Sequence, residues 1–309
     1  MTELSLDAFV DAAENVPYQQ INSELFPNID LWVRRDDLID PIISGNKAYK
    51  LIYNLLEARK LGKDTIVTCG GAWSNHIHAT AAAGQRFGFK TIGIIRGERP
   101  PVLGAMLQDA ERFGMELRFV CRSDYRKCRE LSLPASLGLK MEGSWFVPEG
   151  GANSLGASGV RLLGRVIRET SPVAFDQCWV ACGTGLSLGA LASGLPPTIK
   201  LFGVAVLKAE KSILAAVKEW GLAGSRPMRT TLIADGHQGG YGKVNDRLLA
   251  FQKELEQKAY LPIDHVYTAK VIYALMRRCT QLKQGRHSKR QWKVLLVHTG
   301  GLQGRRGIV

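Results

Sequence analysis

The chain has 309 residues, 45% of them hydrophobic and 22% charged, a globular composition that excludes a disordered or disulfide-scaffold protein. A formal net charge of +13 admits an anionic ligand or nucleic acid, while no apolar run approaches the roughly eighteen residues of a membrane span. Acids at Glu3 and Asp7, where a signal peptide is basic, and dispersed cysteines without a Cys-x-x-Cys pair predict a cytoplasmic protein with no metal site.

In chain order, short apolar runs predict strands at Leu31–Val33, Thr65–Thr68, Thr91–Ile95, Glu116–Val120, Trp145–Val147, Trp179–Ala181, Leu201–Val206, Thr230–Ile233 and Val294–His298. Between them, amphipathic stretches predict helices at Tyr49–Leu61, Ser74–Phe87, Val102–Phe113, Ser158–Glu169 and Asp246–Lys258. Such alternation predicts an α/β fold with mostly parallel sheets flanked by helices. Ligands of such folds sit beyond the C-terminal ends of strands, so the loops there carry the chemistry.

Ser44-Gly45-Asn46-Lys47 reads as a helix start with Asn46 as N-cap, which puts Lys47 in the first turn. A cation is disfavoured there, and Lys50 lies on the same face. Both effects favour the neutral amine that a Schiff base requires. Gly70-Gly71-Ala72-Trp73-Ser74-Asn75-His76 follows a strand and precedes an alanine-rich helix, so it reads as an anion cradle or a turn capped by Ser74. His76 and His78 are two apart on a helix and do not form a metal pair. Cys182-Gly183-Thr184-Gly185-Leu186-Ser187 follows a strand and precedes a helix, an arrangement suited to one phosphate rather than a dinucleotide. Tyr241 in a glycine turn, Tyr267 at a helix start and Thr299 after the last strand complete the set. From Arg277 to Lys293 the chain carries seven Lys and Arg and no acid, which reads as a solvated basic loop, a polyanion patch or an oligomer contact.

In this order the segments resemble the fold type II pyridoxal-phosphate enzymes, whose architecture is tryptophan synthase β-like. Within that class the chain resembles the family of 1-aminocyclopropane-1-carboxylate deaminase and D-cysteine desulfhydrase. The resemblance spans nearly the whole chain and rests on Gly45-Asn46-Lys47 with Lys50-Leu51, Ser74-Asn75-His76, Pro148-Glu149-Gly150-Gly151, Cys182-Gly183-Thr184-Gly185, Tyr241-Gly242, Tyr267-Thr268 and His298-Thr299-Gly300-Gly301. It implies two domains with twisted sheets, a large one over 1–49 and 156–309 and a small inserted one over 50–155.

The resemblance further implies pyridoxal 5'-phosphate bound covalently by Lys47, with its phosphate on Lys50 and on Gly183, Thr184, Gly185, Leu186 and Ser187. Asn75 then meets the ring hydroxyl and Thr299 the ring nitrogen. Lys47, Ser74, Tyr241 and Tyr267 become catalytic, and Ser74, Asn75, His76, Tyr241 and Tyr267 contact a small amino acid. The chain departs from the family at Leu186 and Ser187, where Gly-Thr is usual, at Tyr49, where arginine is common, and at Ala269, a frequent glycine. His76 and Thr268 stand where cyclopropane deaminases typically carry glutamine and glutamate. The expected activity is therefore that of a carbon–sulfur lyase on D-cysteine, with cyclopropane deamination second. A polyanion-binding protein on a degenerate scaffold is the reading from another class. A cytoplasmic homodimer without membrane or nucleic-acid partners is expected.

Overall fold

The computed structural model describes residues 3–126, 142–221, 230–284 and 291–307. Its elements begin with α1 (Leu6–Glu14), β1 (Tyr18–Ile21), β2 (Ile29–Arg34), α2 (Asn46–Lys60), β3 (Thr65–Gly70), α3 (Asn75–Phe87), β4 (Lys90–Arg96), α4 (Ala105–Arg112), β5 (Met115–Val120), α5 (Arg122–Tyr125) and β6 (Ser144–Val147). They continue with α6 (Ser154–Thr170), β7 (Gln177–Cys182), α7 (Leu186–Gly194), β8 (Lys200–Ala205), α8 (Glu210–Trp220), β9 (Thr230–Ile233), α9 (Asp246–Ala259), α10 (Thr268–Gln284) and β10 (Trp292–Val297). Every predicted strand and helix has a counterpart, whereas α1, β1, α5 and α8 have none in the sequence reading, and of α10 only the start at Tyr267 is predicted. No helix among the described residues is long and apolar enough to cross a membrane.

The chain divides into two compact units, one of residues 1–12, 40–159 and 303–309, the other of 13–39 and 160–302. The first thus takes in 40–49, 156–159 and both chain ends beyond the expected 50–155. The division falls ahead of α2, which is one unbroken helix from Asn46 to Lys60.

In the first unit the sheet order is β5-β4-β3-β6, parallel throughout. The central strands β3 and β4 are covered on both faces and mostly buried, while the edge strand β5 carries the ion pair of Arg118 with the exposed Glu116. Ile94 joins Val67, Cys69 and Val120 on one face, and its neighbour Ile95 joins Ile77, Leu107 and Met115 on the other. Gly84 of α3 lets the helix approach β4, because a Cβ there would stand 2.2 Å from Thr91 Cγ2.

The second unit has the order β1-β2-β10-β7-β8-β9. Only the edge strand β1 runs antiparallel to its neighbour. Its core is built around Trp179 and Phe202, stacked at 4.6 Å.

Both sheets contain a point where the strand order reverses. In the first the chain runs β3 to β4 to β5 and then returns beside β3 as β6, so the loops after β3 and β6 are neighbours. In the second it runs β7 to β8 to β9 and ends with β10 beside β7, joining the loops after β7 and β10. Crevices of this kind are where open parallel sheets bind ligands.

Candidate active site

The first unit gathers five of the expected residues. α2 starts after Gly45, which holds φ +65 and ψ −154 and caps the helix instead of Asn46. Asn46 is the first helical residue, so Lys47 still falls in the first turn. Burial lowers its amine from 10.5 to about 8, against the opposing attraction of Glu149. Lys50, one turn on and 2% exposed, donates from Nζ to the Gly150 carbonyl at 3.1 Å.

The turn after β6 closes on this lysine pair. A Cβ on Gly151 would lie 3.0 Å from Lys50 Cβ and 3.5 Å from His76 Cε1, and Gly151 holds φ +72. Glu149 of the same turn accepts from the Tyr125 hydroxyl at 2.9 Å. From the loop after β3, Ser74 caps α3 by accepting from the Ile77 amide at 3.3 Å. Asn75 and His76 follow as its first residues, both buried.

Burial pushes the His76 imidazole well below its ordinary 6.5, and the Lys47 and Lys50 charges push the same way. His76 is therefore a neutral ring. Neither of its nitrogens meets a hydrogen-bond partner in good geometry, although the Pro148 carbonyl lies beside it.

The second unit gathers the remaining residues. Gly183 and Thr184 follow β7, and Gly185 is the N-cap of α7 with φ +87 and no side-chain cap. A Cβ at Gly185 would meet the Ile213 carbonyl at 2.7 Å, so glycine is required for the loop to lie on α8. Leu186 and Ser187 open α7 and are buried. The positive end of that helix dipole faces the loop, as an anion site needs.

Tyr267 donates its hydroxyl to that of Tyr241 at 3.3 Å, with the rings edge-on at 6.2 Å. A Cβ on Gly183 would come within 3.8 Å of Tyr267 Cε1, so the loop and the tyrosine pair adjoin. Thr299, 6% exposed, follows β10. His298 before it donates from Nε2 to the Pro262 carbonyl at 2.9 Å and accepts from the Gly300 amide at 3.1 Å, which fixes its tautomer.

Two features escaped the sequence reading. Asp264 caps α10, accepting from the amides of Val266, Tyr267 and Thr268 at 2.7–2.9 Å. An aspartate four residues ahead of Thr268 was the available signal. Thr268 is 1% exposed, and its Oγ1 has no partner. Buried polar atoms left unpaired are uncommon in native proteins, and His76 and Thr268 both neighbour residues expected to bind ligand. Of the basic stretch, residues 285–290 lie outside the described residues, as does Cys128.

Comparison with known proteins follows the same lines. The family model described as pyridoxal-phosphate dependent enzyme matches residues 13–300. A Thermotoga maritima protein, provisionally named a 1-aminocyclopropane-1-carboxylate deaminase, is 31% identical over 294 residues, covering 89% of each chain. An Arabidopsis thaliana protein named bifunctional D-cysteine desulfhydrase/1-aminocyclopropane-1-carboxylate deaminase, mitochondrial, is 29% identical over 93% of this chain and 76% of its own. A crystal structure described as that of an ACC deaminase homologue superposes with a TM-score of 0.73 at 27% identity, covering 94% of this chain and 90% of that one.

Proposed function

Since the chain belongs to the family of pyridoxal-phosphate dependent enzymes, we propose that it is a lyase converting D-cysteine and water to pyruvate, ammonia and hydrogen sulfide. The residues fit the cofactor. The first unit offers an amine with a lowered pKa, the second an uncapped, glycine-started helix for a phosphate, and buried polar atoms stand unpaired at His76 and Thr268.

Lys47 is assigned the covalent link to the cofactor aldehyde. Lys50 and the backbone from Gly183 to Ser187 are assigned its phosphate, Asn75 the ring hydroxyl and Thr299 the ring nitrogen. Bound pyridoxal phosphate supplies the electron sink for bond cleavage at the substrate's α-carbon. With the cofactor bound, the Lys47 amine would be the base that takes the substrate's α-proton. Ser74, Asn75 and His76 hold the substrate carboxylate, with His76 acting as a neutral hydrogen-bonding ring. Tyr241 and Tyr267 line the substrate side, where their linked hydroxyls orient the β-carbon and its thiolate leaving group.

The observation that carries the choice of elimination is the buried, unpaired hydroxyl at Thr268. A glutamate here, as cyclopropane deaminases typically have, keeps the ring nitrogen protonated and the sink strong. Threonine does not. A weaker sink suffices when a good leaving group departs from the β-carbon. Cyclopropane deamination is the second reading, favoured by the bifunctional name of the Arabidopsis relative. A cytoplasmic homodimer belongs to the same proposal and is checked by light scattering and cell fractionation.

The test is release of keto acid by purified protein from D-cysteine, L-cysteine, D-serine and 1-aminocyclopropane-1-carboxylate. Pyruvate and sulfide from D-cysteine, both lost in Lys47→Ala together with the cofactor's visible absorption, are expected. Turnover of the cyclopropane substrate alone overturns the first reading in favour of the second.

A further inference from the structure

Lys270 is fully buried in α10, flanked in sequence by the core residues Ala269, Val271 and Ile272, a position where a lysine is rare. Its Nζ donates to the carbonyls of Gly240 at 2.8 Å, His237 at 2.9 Å and Val206 at 3.4 Å. An ammonium has three N–H donors and no acceptor, and all three are directed at backbone oxygens. Val206 directly follows β8, while His237 and Gly240 belong to the loop that presents Tyr241.

That loop has two short-range backbone bonds of its own, Gly240 amide to His237 carbonyl at 3.1 Å and Lys243 amide to Gly240 carbonyl at 3.2 Å, which close its turns without joining it to α10. Gln238, Gly239, Gly240 and Gly242 all have positive φ, at 50, 100, 135 and 66°, and glycine there maximises the freedom lost on folding. Tyr241 follows Gly240 directly. Its hydroxyl partner, Tyr267, lies three residues before Lys270, on the adjacent turn at the start of α10.

We propose that Lys270 is a positioning residue, an internal cation in a cage of three carbonyls that fastens the Tyr241 loop to the helix start bearing Tyr267. This rests on the reading of Tyr241 and Tyr267 as the substrate side of the site. An apolar side chain of equal length would fill the space but remove all three bonds, leaving the His237 and Gly240 carbonyls only the loop's own amides of Gly240 and Lys243, with no tie from them to position 270. A buried ammonium carries its own desolvation cost. The burial itself lowers this amine to about 8, against the attraction of Asp264.

The test uses the holoenzyme of Lys270→Met, measured by amide hydrogen exchange over 237–242 and by D-cysteine kinetics, with and without ammonium chloride. Sodium chloride at equal ionic strength is the control. Faster exchange confined to the loop, a fall of about tenfold or more in kcat/KM, and recovery of both with ammonium are expected. Unchanged loop exchange, or losses that ammonium does not reverse, overturn the proposal. Exchange that responds to ammonium while no amino acid is turned over sustains the positioning role and removes the proposed substrate instead. If Lys270→Met does not fold, Lys270→Gln, which keeps two N–H donors without the charge, is read in the same way.

Discussion

A single proton on Lys47 is subject to opposing influences, desolvation that expels it and the Glu149 carboxylate that retains it, and the outcome is an amine near 8 rather than 10.5. Only the neutral amine attacks an aldehyde, so the rate of cofactor capture by apoenzyme should rise through pH 8 and level off above it. Glu149→Gln removes the retaining charge and moves that midpoint to lower pH, a shift read by stopped-flow absorbance; an upward shift contradicts the assignment. Because the folded-state value is depressed, the unfolded chain holds more protons between about 8 and 10.5, and this group makes apoenzyme stability rise with pH across that window. Lys50 carries a different prediction. Its Nζ already bonds the Gly150 carbonyl, so Lys50→Ala should loosen the turn at Glu149–Gly151 as well as the phosphate. Dialysis should show weaker cofactor retention, while kcat at saturating cofactor falls less; unchanged occupancy removes Lys50 from the phosphate site.

At the scale of elements, the placement of α2 depends on a glycine in another helix. A Cβ on Gly159 of α6 would lie 1.7 Å from the Tyr49 carbonyl oxygen, a backbone atom that cannot swing aside. Replacing a helix-interior glycine by alanine ordinarily gains about 1 kcal/mol. Gly159→Ala should instead cost about 1–3 kcal/mol through overpacking, seen as a lower urea midpoint, with cofactor retention falling because Tyr49 sits between Lys47 and Lys50. A stabilised Gly159→Ala would contradict this packing. The parallel strands and their flanking helices were legible in the sequence because burial on both faces leaves apolar runs such as Val294–Val297. β1 was not, since Gln19 and Gln20 break its pattern at an antiparallel edge. α10 was legible at its start, from Tyr267 and Thr268, but not in its extent, because Lys270 interrupts its apolar pattern, and only the three-dimensional structure reveals the carbonyls that accept it. The expected site residues could be named from the order of their motifs, but the grouping of Lys50, His76 and Gly151 follows from β6 returning beside β3, which no local pattern encodes.

For the molecule as a whole, the surplus of +13 charges is the feature that the proposed chemistry leaves unused. Proteins that bind single strands join a positive groove to open aromatic faces on which bases stack. Around the described part of the basic stretch those faces are already taken: Arg278 lies over the Phe202 ring at 5.3 Å and Lys200 over Trp292 at 5.4 Å. Arg277, Arg278 and Lys293 are exposed, so their charge is available to phosphates while the neighbouring rings are not available to bases. Any association with nucleic acid should therefore be electrostatic, no tighter for single-stranded than for duplex oligonucleotides of matched phosphate number. It should collapse between about 50 and 200 mM salt, and Arg277→Ala with Lys293→Ala should flatten that salt dependence without altering cofactor absorption. Fluorescence anisotropy across a salt series measures this directly. A preference for single strands that persists at high salt would mean an open stacking surface, and would restore polyanion binding as a specific property of this chain.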